Sequence, residues 1–190
     1  MSSALPVSRV ARPLLLSRLG GKAPVDRQTF DRLVLEHLPA MQCLAVRLTG
    51  RTDLAEDVVQ TALLKASGAW NTFRGQSAFG TWLLQIVVHA FRDDLAKRRR
   101  HSSDSLEADP VDPKAADPVA NANAAELGRR VATAVSNLPP RQREVLVLHT
   151  YEQLSDEEIA RMLNISPQNV RTTLHLARQR LRTMLRRFLD

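Results

Sequence analysis

Ser155-Asp156-Glu157-Glu158-Ile159-Ala160-Arg161-Met162-Leu163-Asn164-Ile165-Ser166-Pro167-Gln168-Asn169-Val170-Arg171 reads as two short helices joined by a tight corner. Ser155 with Glu158 three residues on is a capping box, and the acids Asp156, Glu157 and Glu158 sit at the positive end of the helix dipole. Ile159, Ala160 and Leu163 share the inward face of this helix. Asn164 stands where the chain must turn, because Asn tolerates the left-handed conformation better than most residues. Ile165 fills the corner, Ser166 caps the next helix, and Pro167 takes its first position, where a missing N–H costs nothing.

In that second helix Val170, Leu174, Ala177 and Leu181 recur at intervals of four, three and four, so they form the buried stripe. Gln168, Asn169, Arg171, Thr172, His175, Arg178 and Gln179 are left outside. From Arg171 to Arg187 there are six arginines and no acid. This arrangement is a helix-turn-helix: the N-terminal residues of its second helix reach base edges, and the basic residues further along reach phosphates. The whole chain of 190 residues carries a formal charge of +7, which favours a polyanionic partner.

Upstream of the motif, Leu127, Val131, Ala134, Val135 and Leu138 form an apolar stripe that Pro139-Pro140 ends. A further helix starts at Arg141, with Val145, Leu146 and Leu148 inward. Residues 101–125 differ in kind. Three prolines, many alanines and five acids against the single Lys114 describe a solvated acidic linker. It separates residues 126–190 from an earlier helical block at 27–100.

In that earlier block Leu33, Val34, Leu38, Met41, Leu44, Ala45 and Leu48 follow helical spacing, with Pro39 expected to bend or interrupt the helix. Thr49-Gly50-Arg51-Thr52 is a stop, and Asp53 with Glu56 reads as the cap of the next helix. A long helix begins near Gly80 or Thr81 and runs to Arg100, with Leu84, Val87, Val88, Phe91 and Leu95 on its apolar face. Gln85, His89, Arg92, Ala96 and Arg99 form the opposite stripe. Trp82, among Phe79, Leu83 and Ile86, reads as a core residue. Residues 1–26 read as a flexible basic leader, since Arg12, Pro13 and Arg18 break the apolar run around Leu14 too soon for a signal peptide. The expected fold is all-α: two small helical domains joined by a flexible acidic linker.

Several function classes are disfavoured. The single Cys43 rules out an intramolecular disulfide and a cysteine-rich zinc site, and it fits a reducing, cytoplasmic setting. No apolar stretch approaches the ~20 residues that span a bilayer, so no membrane insertion is expected. The histidines His37, His89, His101, His149 and His175 are scattered, and no metal spacing, nucleophile elbow or phosphate loop occurs. No metal, no cofactor and no catalytic residue are therefore expected.

The two blocks together resemble the sigma-70 family, specifically its extracytoplasmic-function group, over roughly residues 28–187. Leu138-Pro139-Pro140-Arg141-Gln142-Arg143-Glu144-Val145 followed by Leu154-Ser155-Asp156-Glu157-Glu158-Ile159-Ala160 is similar to the family's fourth region. Ala55-Glu56-Asp57-Val58-Val59-Gln60 and Phe73-Arg74-Gly75 through Thr81-Trp82-Leu83 are similar to its second region. The resemblance implies an RNA polymerase sigma factor, non-enzymatic, with core polymerase (the clamp of the largest subunit, and the flap) and promoter DNA as partners, commonly restrained by an anti-sigma factor.

By position, the resemblance assigns Glu56, Asp57 and Gln60 to polymerase docking. It gives Asn71, Arg74 and Gln76 in the 71–77 loop to capture of an unpaired base of the −10 element, and Gln85, His89, Arg92 and Arg99 to reading that element. Gln168, Asn169, Arg171, Thr172, His175 and Arg178 fall to the −35 duplex. The chain departs from the family's usual residue at His89 (often Asn), Asn164 (often Gly) and Leu176 (often Arg), which implies a divergent promoter. A conventional helix-turn-helix regulator that binds duplex DNA without polymerase is the alternative; it leaves the Glu56-Asp57/Gln60 surface unexplained.

Overall fold

A computed structural model describes residues 26–73, 77–101 and 122–186. Among the described residues the chain forms seven α-helices and one 3-10 turn, with no strand. The first block holds α1 (Arg27–Thr49), α2 (Thr52–Ala69), the turn Trp70–Thr72 and α3 (Phe79–His101). The second holds α4 (Ala122–Ser136), α5 (Pro140–Thr150), α6 (Asp156–Leu163) and α7 (Pro167–Arg186).

Helix ends follow local chemistry. Asp26 caps α1 by accepting from the Thr29 N–H at 2.9 Å, and Gly50 closes it in the left-handed region at φ 74°. Pro39 does not break α1, which runs through it. The proline is exposed, so the carbonyl one turn earlier that lacks an N–H partner falls on the solvated side. The expected cap at Asp53 is also corrected. Arg51, in extended backbone, precedes α2, while Asp53 lies inside the first turn and is gripped by the Arg51 guanidinium at 3.1 and 2.7 Å. That grip holds the Asp53 carboxyl down to about 2.

In the first block α1, α2 and α3 pack on one another around Met41, Leu44, Leu48, Val58, Ala62, Leu83, Leu84, Val87 and Val88, all essentially without solvent exposure. One end is closed by aromatics: Phe73 and Phe79 stand edge to face at 5.2 Å, and Trp82 lies 5.3 and 5.5 Å from them. Trp82 is half-buried and packs against the core, where its neighbours in sequence suggested a core residue.

In the second block α7 packs against α4, α5 and α6. Ile159, Ala160 and Leu163 of α6 and Val170, Leu174 and Ala177 of α7 are buried as the spacing required, Met162 is buried as well, and Leu181 at the end of the stripe is only half-buried. Ser155 and Glu158 form the reciprocal capping box, and Asn164 adopts φ 53°, ψ 56°. Ser166 accepts the Asn169 N–H at 3.2 Å ahead of Pro167. Leu127 departs from expectation and is exposed, because the residues of α4 and its C-terminal extension that reach the core are Ala134, Val135 and Leu138.

A left-handed β-carbon is strained, and Asn relieves part of that strain through its short polar side chain. Asn164→Ala should therefore lower stability by about 1 kcal/mol, whereas Asn164→Gly should match or exceed the wild type. Denaturant melts of the two variants check this; equal midpoints for Ala and Gly would contradict it.

The two blocks pack on each other: α1 touches both α4 and α5, and one hydrophobic cluster runs through both. Most of the leader expected at 1–26 and of the linker expected at 101–125 lies outside the described residues. Two of their expected borders shift by a few residues: α3 extends through His101, and α4 begins at Ala122.

Candidate nucleic-acid interface

Three exposed surfaces carry the residues singled out in the sequence. On α2, Glu56, Asp57 and Gln60 are exposed, and their separations of three and four residues place them on one side. Leu64, one turn past Gln60, is 77% exposed. The face is acidic with one apolar residue, on a chain that is basic overall.

The second surface is the loop after α2 and the outward stripe of α3. Asn71 is exposed in the 3-10 turn, while Arg74 and Gln76 lie outside the described residues. Along α3, His89 and Arg99 are exposed and Gln85 and Arg92 are half-buried. His89 is held below the usual histidine range, by partial burial first and then by the nearby cations Arg92 and Lys65.

The third surface is α7. Gln168, Asn169, Arg171, Thr172, His175 and Arg178 are all exposed. Two of these are anchored: Thr172 donates its hydroxyl to the Gln168 carbonyl at 3.1 Å, and Arg171 pairs with Asp156 of α6 at 3.0 Å. The arginine is thereby tied to the first helix of the motif.

Arg92 does not stand free in this arrangement. Its guanidinium makes a two-pronged bond to Glu144 of α5, Nε to Oε1 at 2.8 Å and Nη2 to Oε2 at 2.6 Å, and Arg141 adds a third bond at 3.2 Å. Glu144 is buried, so a planar fork matched to a carboxylate is the geometry its charge requires. Arg92, Ala96, Arg99, Arg141 and Glu144 line an open cleft of about 650 Å³ between α3 and α5.

Two more arginines join the blocks. Arg143 donates to the Leu48 carbonyl of α1 and to the carbonyls of Ser136 and Leu138. Arg47 of α1 donates to Glu152 at 3.3 Å and lies 4.4 Å from the Tyr151 ring centroid. Sequence reasoning missed Arg47, Arg143, Glu144 and Glu152 as a group. The partners they reach across the joint lie 52 to 105 residues away, and no local pattern marks such a pairing.

Burial pushes the Glu152 carboxyl above the ordinary glutamate value of 4.5, and Arg47 only partly offsets this. A folded pKa raised above the unfolded one means stability that is full below 4.5 and lost as pH rises through the folded value. Glu152→Gln should remove that loss. Its melting temperature should fall less than the wild type's as pH rises from 4.5 toward neutrality. Parallel pH curves for the two proteins would contradict the assignment.

Comparison with known proteins places these surfaces in context. Residues 33–101 match the family model described as Sigma-70 region 2, and residues 128–181 match Sigma-70, region 4. The RNA polymerase sigma-H factor of Pseudomonas aeruginosa is 32% identical over 163 residues, covering 81% of this chain and 84% of that protein. The ECF RNA polymerase sigma factor SigM of Mycobacterium tuberculosis is 35% identical over 162 residues, covering 84% and 79%. Among solved structures, the sigma factor RpoE of Bartonella quintana, in complex with the anti-sigma factor NepR, superposes with a TM-score of 0.71 at 26% identity. That match covers 84% of this chain and 98% of that one. CnrH in complex with the cytosolic domain of CnrY gives 0.61 at 26% identity, covering 84% and 89%.

Proposed function

The chain belongs to the sigma-70 family, in its extracytoplasmic-function group, and from that premise we propose how its surfaces divide the work of a sigma factor. It is an RNA polymerase sigma factor that binds core polymerase and directs it to promoters. The exposed face of α2, with Glu56, Asp57 and Gln60, docks on the polymerase clamp, and the second block reaches the flap. Asn71, Arg74 and Gln76 hold unpaired bases of the −10 element, and Gln85, His89, Arg92 and Arg99 read that element along α3. Gln168, Asn169, Arg171, Thr172, His175 and Arg178 engage the −35 element as duplex.

The observation that carries this reading is the coexistence, in one chain, of a helix-turn-helix with a basic outer face and a first block that exposes the acidic Glu56-Asp57 face of α2. A regulator acting on duplex DNA alone has no use for that acidic face, and the region 2 match over residues 33–101 speaks against it as well. No catalytic role is assigned to any residue; the chemistry of RNA synthesis belongs to the polymerase. Among the described residues no helix is long and apolar enough to cross a membrane, and a cytoplasmic location follows from the polymerase as partner.

Promoter engagement requires the two blocks to separate, because Arg92 reaches a phosphate only after it leaves Glu144. The structural relatives solved with anti-sigma proteins support an anti-sigma factor as the restraint on this chain as well. The test is multi-round transcription with purified core polymerase. This chain should convert the core to promoter-dependent initiation. Tight duplex binding by the chain alone, with no binding to core, would overturn the reading in favour of the regulator.

A further inference from the structure

Among the described residues four large apolar side chains are exposed: Leu35, Leu64, Leu127 and Leu176. Leu176 alone of these lies on the helix-turn-helix second helix, α7. It is 43% exposed, while its near neighbours Leu174 and Ala177 are buried at 5% and 0%. Thr172 lies one turn before it and Gln179 nearly one turn after, both exposed. The outward strip of α7 thus runs Gln168, Thr172, Leu176, Gln179, polar at every step but one, and is flanked by His175, Arg178 and Arg180.

An apolar side chain on such a strip gains nothing from phosphates. On the major-groove edges of the base pairs, the apolar group presented is the C5-methyl of thymine. We propose that Leu176 is a specificity-determining residue that selects thymine within the upstream duplex element by packing on its methyl group. Thr172 and the arginines position the helix and bind groups common to many sequences, and Leu176 adds a preference that depends on one methyl. The inference rests on the assignment of α7 to duplex DNA.

The test uses the holoenzyme formed by this chain and core polymerase. Selection from duplexes randomised upstream of the start site should enrich a thymine at one position. Replacing that thymine by uracil, which removes only the methyl, should weaken binding about fourfold. The Leu176→Ala holoenzyme should bind the thymine and uracil duplexes equally. Leu176→Arg should move the preference at that position toward guanine, whose O6 and N7 accept from a guanidinium. Equal binding of thymine and uracil duplexes by the wild type overturns the inference, as does a thymine preference that survives Leu176→Ala; in both cases the assignment of α7 to duplex DNA stands. No enrichment of any upstream duplex sequence overturns that assignment itself, and the inference with it.

Discussion

Asp57→Arg is expected to weaken the complex with core polymerase by about 30-fold or more, the loss of a hot-spot contact combined with a like-charge clash. Asp57 is exposed on α2 beside Glu56 and Gln60, so the fold does not depend on it. A surface change of this kind shifts stability by less than about 0.5 kcal/mol, and the melting curve should be unchanged. The acidic face is conspicuous because the chain as a whole carries +7. A basic factor that must stay off DNA with one surface while holding polymerase with it gains from a local reversal of sign. Titration of labelled variant against core polymerase measures the loss. Affinity equal to the wild type's would remove α2 from the docking interface.

The second large effect concerns the joint between the blocks. Arg92→Ala should lower unfolding free energy by about 2 kcal/mol, the range for hydrogen bonds to a charged group, because it strips two bonds from the buried Glu144 and leaves only Arg141. Arg92→Lys should recover little of this, since an ammonium cannot reproduce the two-pronged fork. Glu144→Gln should loosen the joint as well, by removing the charge while keeping most of the volume. Distances between labels on the exposed Glu36 of α1 and Gln179 of α7 should lengthen or broaden in both variants.

The two variants then part in transcription. Arg92→Ala also removes a side chain assigned to the −10 element and should lose promoter melting. Glu144→Gln leaves Arg92 intact and should retain it. Equal loss of melting in both would mean that Arg92 acts only as a structural tie.

The helix-turn-helix could be read to the residue because each of its determinants is local. The Ser155–Glu158 box, the left-handed Asn164 and the Ser166-Pro167 start are set by neighbours within four positions, and tertiary packing had nothing to override. The apolar stripes of α3 and α7 were legible in direction, since periodicity fixes which side faces inward, but their last members Leu95 and Leu181 are only half-buried. Asp53 misled for a local reason too: a cap residue and a first-turn acid look alike in sequence, and Arg51 decided between them by taking the carboxylate.

What could not be read is the packing of one block on the other. Arg92 carries the signature of a nucleic-acid contact, and nothing near it in sequence reports that Glu144, 52 residues on, faces it. Arg47 with Glu152 spans 105 residues and is hidden for the same reason. The residues that read DNA and those that hold the blocks together share one chemistry, arginine against an anion. Only the fold tells which anion is at hand.

The central claim is that the two blocks act together on one promoter, with the first holding unpaired bases and the second the upstream duplex. Permanganate reactivity of thymines on a promoter selected by the holoenzyme tests it most directly. The account requires reactive, unpaired thymines near the start site together with upstream duplex protection, and both only when core polymerase is present. A protected duplex with no reactive thymines, produced by the chain alone and unchanged by core polymerase, would contradict it.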